Sequence, residues 1–158
     1  MVVVIRQLGS EEQMSRRLAS GGRTVVGGVA AATPAEGVLA NLRYSVQLLA
    51  APAGEQIAHF LPPDFAAKTD EMALELEHWA QCAPTYWTLT QEQAIRLNAL
   101  DAYLAALSGT EHAEFWTDAA LVSDPRWEEL RILADAVLTA FKWPKETPPP
   151  ERYLEESQ

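Results

Sequence analysis

The sequence has little of several features that would narrow its class. Cys82 is the only cysteine among 158 residues, which excludes an internal disulfide framework and favours a reducing compartment. No apolar run approaches the roughly 20 residues that a membrane-spanning helix needs. Residues 1–5 have no basic region before them and no long apolar core, so we expect no secretory signal. These features together predict a cytoplasmic protein.

Motifs for catalysis or nucleotide binding are also missing. The sequence contains no G-x-S-x-G elbow, and its three histidines lack the context of a catalytic triad. The glycine pairs at 21–22 and 27–28 match neither a P-loop nor a dinucleotide-binding fingerprint. Cys82 lies near the end of a predicted helix, where the helix dipole raises the pKa of a thiol. The sequence therefore favours a protein without enzymatic activity and without a cofactor.

Basic residues are scarce, and the resulting charge is unevenly distributed. The chain has 12 Lys and Arg against 22 Asp and Glu, which gives a net charge of −10. Acidic and basic residues cancel within 1–67, so the whole excess lies in residues 68–158, with 17 acidic and 7 basic side chains. An acidic surface repels phosphate backbones and argues against nucleic-acid binding. It would attract a basic protein, although acidic surfaces also serve solubility alone.

What the sequence does contain is a series of helix signals. The clearest helix starts combine a capping residue with a proline, or with Glu or Gln three positions later: Thr33-Pro34-Ala35-Glu36, Thr90 with Gln93, and Ser123-Asp124-Pro125. Apolar residues follow each start at spacings of three and four. We predict a mainly α protein: an irregular helical bundle of about six helices with a small N-terminal β element, forming one helical domain over residues 1–144.

The stretch 90–109 is predicted to be the central helix of this bundle. Its leucines at 97, 100, 104 and 107 form one ridge, and its alanines at 99, 102 and 106 form a smooth strip on another side. Polar residues occupy an arc of only roughly 80° around the helix. A helix that is apolar almost all round is expected to be largely buried and to contact at least two neighbours.

The two ends of the chain are predicted to differ from the helical middle. Residues 1–30 read as a short β/α/β element, with strands at 2–5 and 23–26, packed on the bundle. An unpaired strand at 2–5 would offer an edge that a homodimer could cover. Residues 145–158 contain Pro148-Pro149-Pro150 and several glutamates, and we expect a flexible or extended tail there.

The best hint of a metal site is a stripe of Glu71, Glu75 and His78 on one predicted helix. The stripe contains the Glu-x-x-His spacing that four-helix di-metal proteins use on two helices, but here the spacing occurs once. The alternative is a solvated ladder of charges in which Lys68 pairs with Glu71. A metal at this stripe is the basis of a competing hypothesis, a small metal-dependent or small-molecule enzyme.

Three aromatic residues are candidates for an interaction surface. Tyr86 and Trp87 lie in a predicted loop, and Trp143 follows the last predicted helix and precedes a proline. Aromatic residues exposed near helix ends are typical of interfaces, although they also close the ends of helical bundles.

Taken together, these features favour a small acidic bacterial protein that binds another protein. The excess of arginine over lysine and the abundance of alanine are typical of a GC-rich bacterial genome. Neutralisation of a basic partner, as by an immunity protein or an antitoxin, is one role that fits the charge.

Overall fold

The structure, a computed structural model, describes residues 33–61 and 68–152, together with the backbone of two short strands between residues 25 and 30. Within these residues it contains six α-helices, one 3-10 helix and four two-residue strands. In chain order they are β1 (Val25–Val26), β2 (Val29–Ala30), α1 (Pro34–Ala50), α2 (Ala53–His59), β3 (Phe60–Leu61), α3 (Lys68–Tyr86), α4 (Gln91–Ala106), the 3-10 helix (Thr110–Trp116), α5 (Asp118–Ser123), α6 (Pro125–Phe141) and β4 (Glu151–Arg152). The prediction of a mainly α irregular bundle is confirmed.

Helix α1 is the helix around which the bundle is built. It begins as the sequence predicts, because the Thr33 hydroxyl accepts a hydrogen bond from the Glu36 N–H at 3.2 Å and Pro34 occupies the first turn. It packs against both α3 and α6, and every residue from Tyr44 to Ala50 is buried. The core therefore surrounds α1 on several sides.

Helix α4 lies at the edge of the bundle, so the prediction that it is the central helix is wrong. Its capping box is present, with Thr90 and Gln93 bonded reciprocally at 2.9 and 3.1 Å. The leucine ridge is buried, but the alanines at 99, 102 and 106 are exposed, and Ile95 beside them is 51% exposed. Helix α4 packs mainly on α6 and less on α3, and both contacts use the ridge side. Alanine is compatible with either environment, which is why the sequence pattern was ambiguous here.

Helix α3 continues through a proline that we expected to end it. Pro84 lies inside the helix, which extends to Tyr86. A proline lacks the N–H that would bond the carbonyl four residues earlier, so the last turn lacks one hydrogen bond, and the helix ends two residues after Pro84. The predicted capping residue of this helix, Asp64, lies outside the described residues.

An aromatic cluster connects the 3-10 helix to α6. The ring of Phe115 stacks on Trp127 at 4.6 Å with an interplanar angle of 4°, and Trp116 meets both rings edge-on. The indole N–H of Trp127 donates to the Phe115 carbonyl at 2.8 Å, and that of Trp116 donates to the Leu107 carbonyl at 2.9 Å. Each buried indole donor thus has a partner, as burial requires.

The β element consists of a short hairpin before α1. Strand β1 pairs antiparallel with β2, in the register Val25↔Ala30 and Val26↔Val29. Residues 25–26 of the strand expected at 23–26 form β1, and residues 23–24 and 27–28 lie outside the described residues. The strand expected at residues 2–5, and its pairing, lie outside the described residues.

The chain beyond α6 returns along the bundle. Lys142 takes the left-handed conformation that closes the helix, with φ 57°. Residues 143–150 have no regular secondary structure, and β4 then pairs in parallel with β3. Pro148 is buried on the way. The described part of this segment lies against the bundle. The flexible tail expected over residues 145–158 stays a prediction.

Among the described residues, no helix is both long enough and apolar enough to cross a bilayer.

Candidate functional site

The Glu71, Glu75 and His78 stripe lies on α3, in an environment shaped by an aromatic neighbour. The indole N–H of Trp79 donates to the Glu75 carboxylate at 2.8 Å, and the His78 ring meets Trp79 edge-on at 4.4 Å. His78 is buried, whereas both glutamates are partly exposed. Within the described residues, no three His, Cys, Asp or Glu side chains are grouped so as to hold a metal ion. The metal hypothesis gains no support from this geometry.

The predicted aromatic pair at the end of α3 is exposed. Tyr86 is 49% exposed and Trp87 is 37% exposed. The indole N–H of Trp87 donates to the Ala35 carbonyl at 2.8 Å, so this ring covers the start of α1 while one face remains open to solvent. The pair has the exposure that an interaction surface requires, and Trp87 also has a structural role.

Trp143, the third aromatic candidate, closes one end of the bundle. Its ring stacks on Phe141 at 4.2 Å, with an interplanar angle of 20°, and packs against the hydrophobic core. Its backbone N–H donates to the Leu138 carbonyl at 2.9 Å, which satisfies one of the last carbonyls of α6. These contacts account for a tryptophan at this position without a ligand.

Acidic side chains are concentrated where the 3-10 helix, α5 and the first turn of α6 meet. We call this region the acidic corner, and its exposed carboxylates are those of Glu111, Glu114, Asp118, Glu128 and Glu129. Arg126 is the one basic residue between 110 and 130. Val122, on α5 within the corner, is 63% exposed. The corner therefore combines surplus negative charge with an exposed apolar side chain.

Arg126 organises the acidic corner from within. Its guanidinium bonds the Asp124 carboxylate at 2.7 Å and the Glu114 carboxylate at 3.3 Å, and it lies 5.2 Å from the centre of the Phe115 ring. The pKa of Asp124 is lowered, chiefly by the hydrogen bond from Arg126. The pKa of Glu114 is lowered by a hydrogen bond from its own backbone N–H and by one from Arg126. One cation thus serves two carboxylates, and neither Glu111 nor Glu129 has an ion-pair partner among the described residues.

The start of α3 holds a group of buried polar residues that the sequence did not single out as a site. The Lys68 ammonium bonds the Asp118 carboxylate at 3.0 Å, and the Thr69 hydroxyl donates to the Trp116 carbonyl at 3.2 Å. Asp70 is 3% exposed, and burial, together with the charge of Glu71, raises its pKa to about 7. No spacing rule marks these three consecutive residues as buried, because only the packing of α3 against the 3-10 helix and α5 covers them.

Cys82 behaves as a packing residue. It is half-buried against the hydrophobic core, and burial raises the pKa of its thiol. A raised thiol pKa leaves little thiolate at neutral pH, and the thiolate is the reactive form.

Comparison of the chain with protein-family models, with curated proteins and with solved structures gave no match.

Proposed function

We propose that this protein binds a basic partner protein through the acidic corner, without catalysing a reaction. The observation that carries the proposal is the surplus of exposed carboxylates at the corner, where the cations Lys68, Arg126 and Arg131 are already engaged. Glu111 and Glu129 have no ion-pair partner among the described residues. Complementary charge of this kind raises association rates and selects partners of opposite sign.

The other described basic side chains add to this argument, because many of them are already paired. Arg96 bonds Glu92, Arg131 bonds Glu128, and Lys145 bonds Asp135, at distances of 2.7 to 3.3 Å. Within the part of the chain that the structure describes, few cations are therefore to spare for an acidic ligand, whereas several carboxylates project into solvent. A protein that neutralises a basic partner, in the manner of an immunity protein or an antitoxin, needs this distribution.

A matched pair of triple variants tests the proposal. The corner variant is Glu111→Gln/Glu128→Gln/Glu129→Gln, and the control is Glu36→Gln/Glu92→Gln/Glu146→Gln, which changes the net charge equally at exposed glutamates outside the corner. Immobilised wild type and both variants are incubated with an extract of the source cells at two salt concentrations, and bound proteins are identified by mass spectrometry.

We expect wild type and the control to retain one basic protein at low salt, and the corner variant to lose it. High salt should weaken the complex, because exposed charges more than about 8–10 Å apart are screened at physiological ionic strength. A complex that survives in the corner variant, or that is indifferent to salt, would contradict recognition by the corner.

A further inference from the structure

Residues 145–152, which we call the strap, cross the bundle, and residues 145–150 bury little of their own surface. The Pro144 carbonyl at the start accepts a hydrogen bond from the Gln47 amide at 3.0 Å. Of residues 144–150, only Pro148 is buried, and the others are exposed. Segments with few buried apolar contacts open locally at a small fraction of the global unfolding free energy. The strap has this character.

The strap is held first by side-chain contacts and then by the short parallel pairing of β4 with β3. The Lys145 ammonium lies 3.3 Å from the Asp135 carboxylate, in an ion pair that is exposed on both sides. The Thr147 hydroxyl donates to the Glu55 carboxylate. Three successive prolines then supply no N–H, and only Glu151 and Arg152 pair with Phe60 and Leu61. Exposed ion pairs contribute little, so the burial of Pro148 is the main anchor.

The surface beneath the strap has a defined chemistry. Asp135 and Glu55 offer carboxylates, and the Gln47 amide offers a hydrogen-bond donor. Pro148 of the strap is buried against this surface, and the edge of β3 offers backbone groups to a parallel strand. A strand edge with free backbone groups is a template for an added strand. The two carboxylates favour a segment that carries a cation and a hydroxyl.

We propose that this surface is a binding site for an extended, basic, proline-containing segment of a partner protein, and that the strap is its built-in competitor. The inference rests on the proposed function, and it names the part of a basic partner that this chain would hold. The strap occupies the site within the free protein. A partner segment replaces it contact for contact, and the long-range attraction of the acidic chain brings that segment close.

The test uses the full-length protein and two neighbouring prolines. Pro148→Asp places a charge at a buried position and should release the strap, whereas Pro149→Asp makes the same chemical change at an exposed position. The probe is a fluorescently labelled peptide with the sequence of residues 145–152. Fluorescence anisotropy gives its affinity. Hydrogen exchange of the Leu61 amide reports whether the strap is in place, because the other β3 amide, that of Phe60, donates to the Ile57 carbonyl.

We expect the Leu61 amide to exchange at least about tenfold faster in Pro148→Asp than in wild type, with the helices unchanged. The peptide should bind Pro148→Asp at least about tenfold more tightly than wild type or Pro149→Asp, because the apparent affinity rises with the fraction of open sites. A peptide with Lys145→Glu should bind more weakly than the native sequence.

Three results would overturn the inference. The peptide could bind none of the three proteins, or the Leu61 amide could exchange equally in Pro148→Asp and Pro149→Asp. Alternatively, exchange in Pro148→Asp could rise equally throughout the helices. The last result would make the strap an inseparable part of the fold. If Pro148→Asp does not fold, the double variant Lys145→Ala/Thr147→Val removes two strap contacts without introducing a buried charge. Unchanged hydrogen exchange of the Leu61 amide in β3 of that variant would refute the proposal that the strap opens.

The two proposals can fail separately. Capture of a basic protein that depends on the acidic corner, together with a peptide that binds neither variant, would refute the strap site and leave the proposed function standing. Peptide binding to Pro148→Asp without any corner-dependent partner would support the strap site and refute the proposed function.

Discussion

Helices α1 and α4 have nearly the same length, 17 and 16 residues, but they occupy opposite environments. In α1 ten residues are buried, including asparagine, serine and glutamine, whereas in α4 only three leucines are buried. The helix with more polar residues among its buried positions is therefore the central one. The comparison shows that the number of apolar positions on a helix does not determine how many of its faces are covered.

The difference follows from what the neighbours of α1 provide. The Gln47 amide donates to the Pro144 carbonyl at 3.0 Å, and the Tyr44 hydroxyl lies 2.6 Å from Nε2 of His59. The Asn41 amide donates to the Gly37 carbonyl within the helix at 2.8 Å. A buried polar group is tolerated when it has a hydrogen-bond partner. Two of these partners, Pro144 and His59, lie outside the helix and cannot be read from the α1 sequence.

The largest expected effect on the free energy of unfolding comes from truncating aliphatic side chains of equal size in α1 and in α4. Leu42→Ala in α1 removes a side chain that is 0% exposed and should cost about 2–5 kcal/mol of the free energy of unfolding. Ile95→Ala in α4 removes one that is 51% exposed and should cost less than about 0.5 kcal/mol. Urea denaturation measures both. Equal losses would mean that α4 is as central as α1.

A second prediction concerns the support of the α1 C-terminus. The Gln56 amide donates to the Leu48 and Leu49 carbonyls at 3.0 and 3.1 Å, and its carbonyl accepts from Arg131 at 3.0 Å. Gln56→Ala leaves these buried groups unsatisfied, and we expect a loss of about 1–3 kcal/mol by denaturation.

The matching change at the end of α4 is Ser108→Ala. It removes only the bond from the Ser108 hydroxyl to the Leu104 carbonyl, which belongs to the same helix. Its effect should stay within about 0.5 kcal/mol. If Gln56→Ala is equally mild, the network at α1 does not stabilise the bundle.

A third prediction concerns Asp70 in α3, the helix that packs against both α1 and α4. The folded pKa of Asp70 is about 7, above the ordinary value of 3.8, so the folded protein holds a proton that the unfolded chain has lost. The free energy of unfolding should therefore fall as the pH rises from about 4 to about 7, and become constant above that. Asp70→Asn should remove this component and exceed the wild type in stability at pH 8. Denaturation of both proteins across that range checks the sign, and parallel profiles would rule out a protonated Asp70.

The smallest expected effect is the most direct check on α4. Ala102 is exposed, so Ala102→Leu should change stability by less than about 0.5 kcal/mol, whereas burial would have made it cost about 1–3 kcal/mol. Ala50→Leu, at a buried position of α1, should show the larger cost. Thermal denaturation of the pair decides this, and a marked loss in Ala102→Leu would mean that another surface covers the alanines.

Some candidate site residues could be identified in advance and others could not. Exposed Tyr86 and Trp87 follow from their position at a helix end, because few neighbours can surround a side chain there. Trp143 has the same kind of position but stacks on Phe141, a contact that depends on how the chain reverses at Lys142. The buried Lys68 and Asp70 have no sequence signal, since burial of a charge depends on elements more than forty residues away.

The sequence by itself determined where the helices begin. Thr33, Thr90 and Asp124 each accept a backbone hydrogen bond at the start of α1, α4 and α6, because capping is a local interaction between residues two or three positions apart. Only the tertiary structure decided which helix is central, that Arg126 reaches Glu114 and where the strap returns to β3. Those outcomes depend on contacts between residues distant in sequence, and a side chain as small as alanine fits equally well in the core and in water.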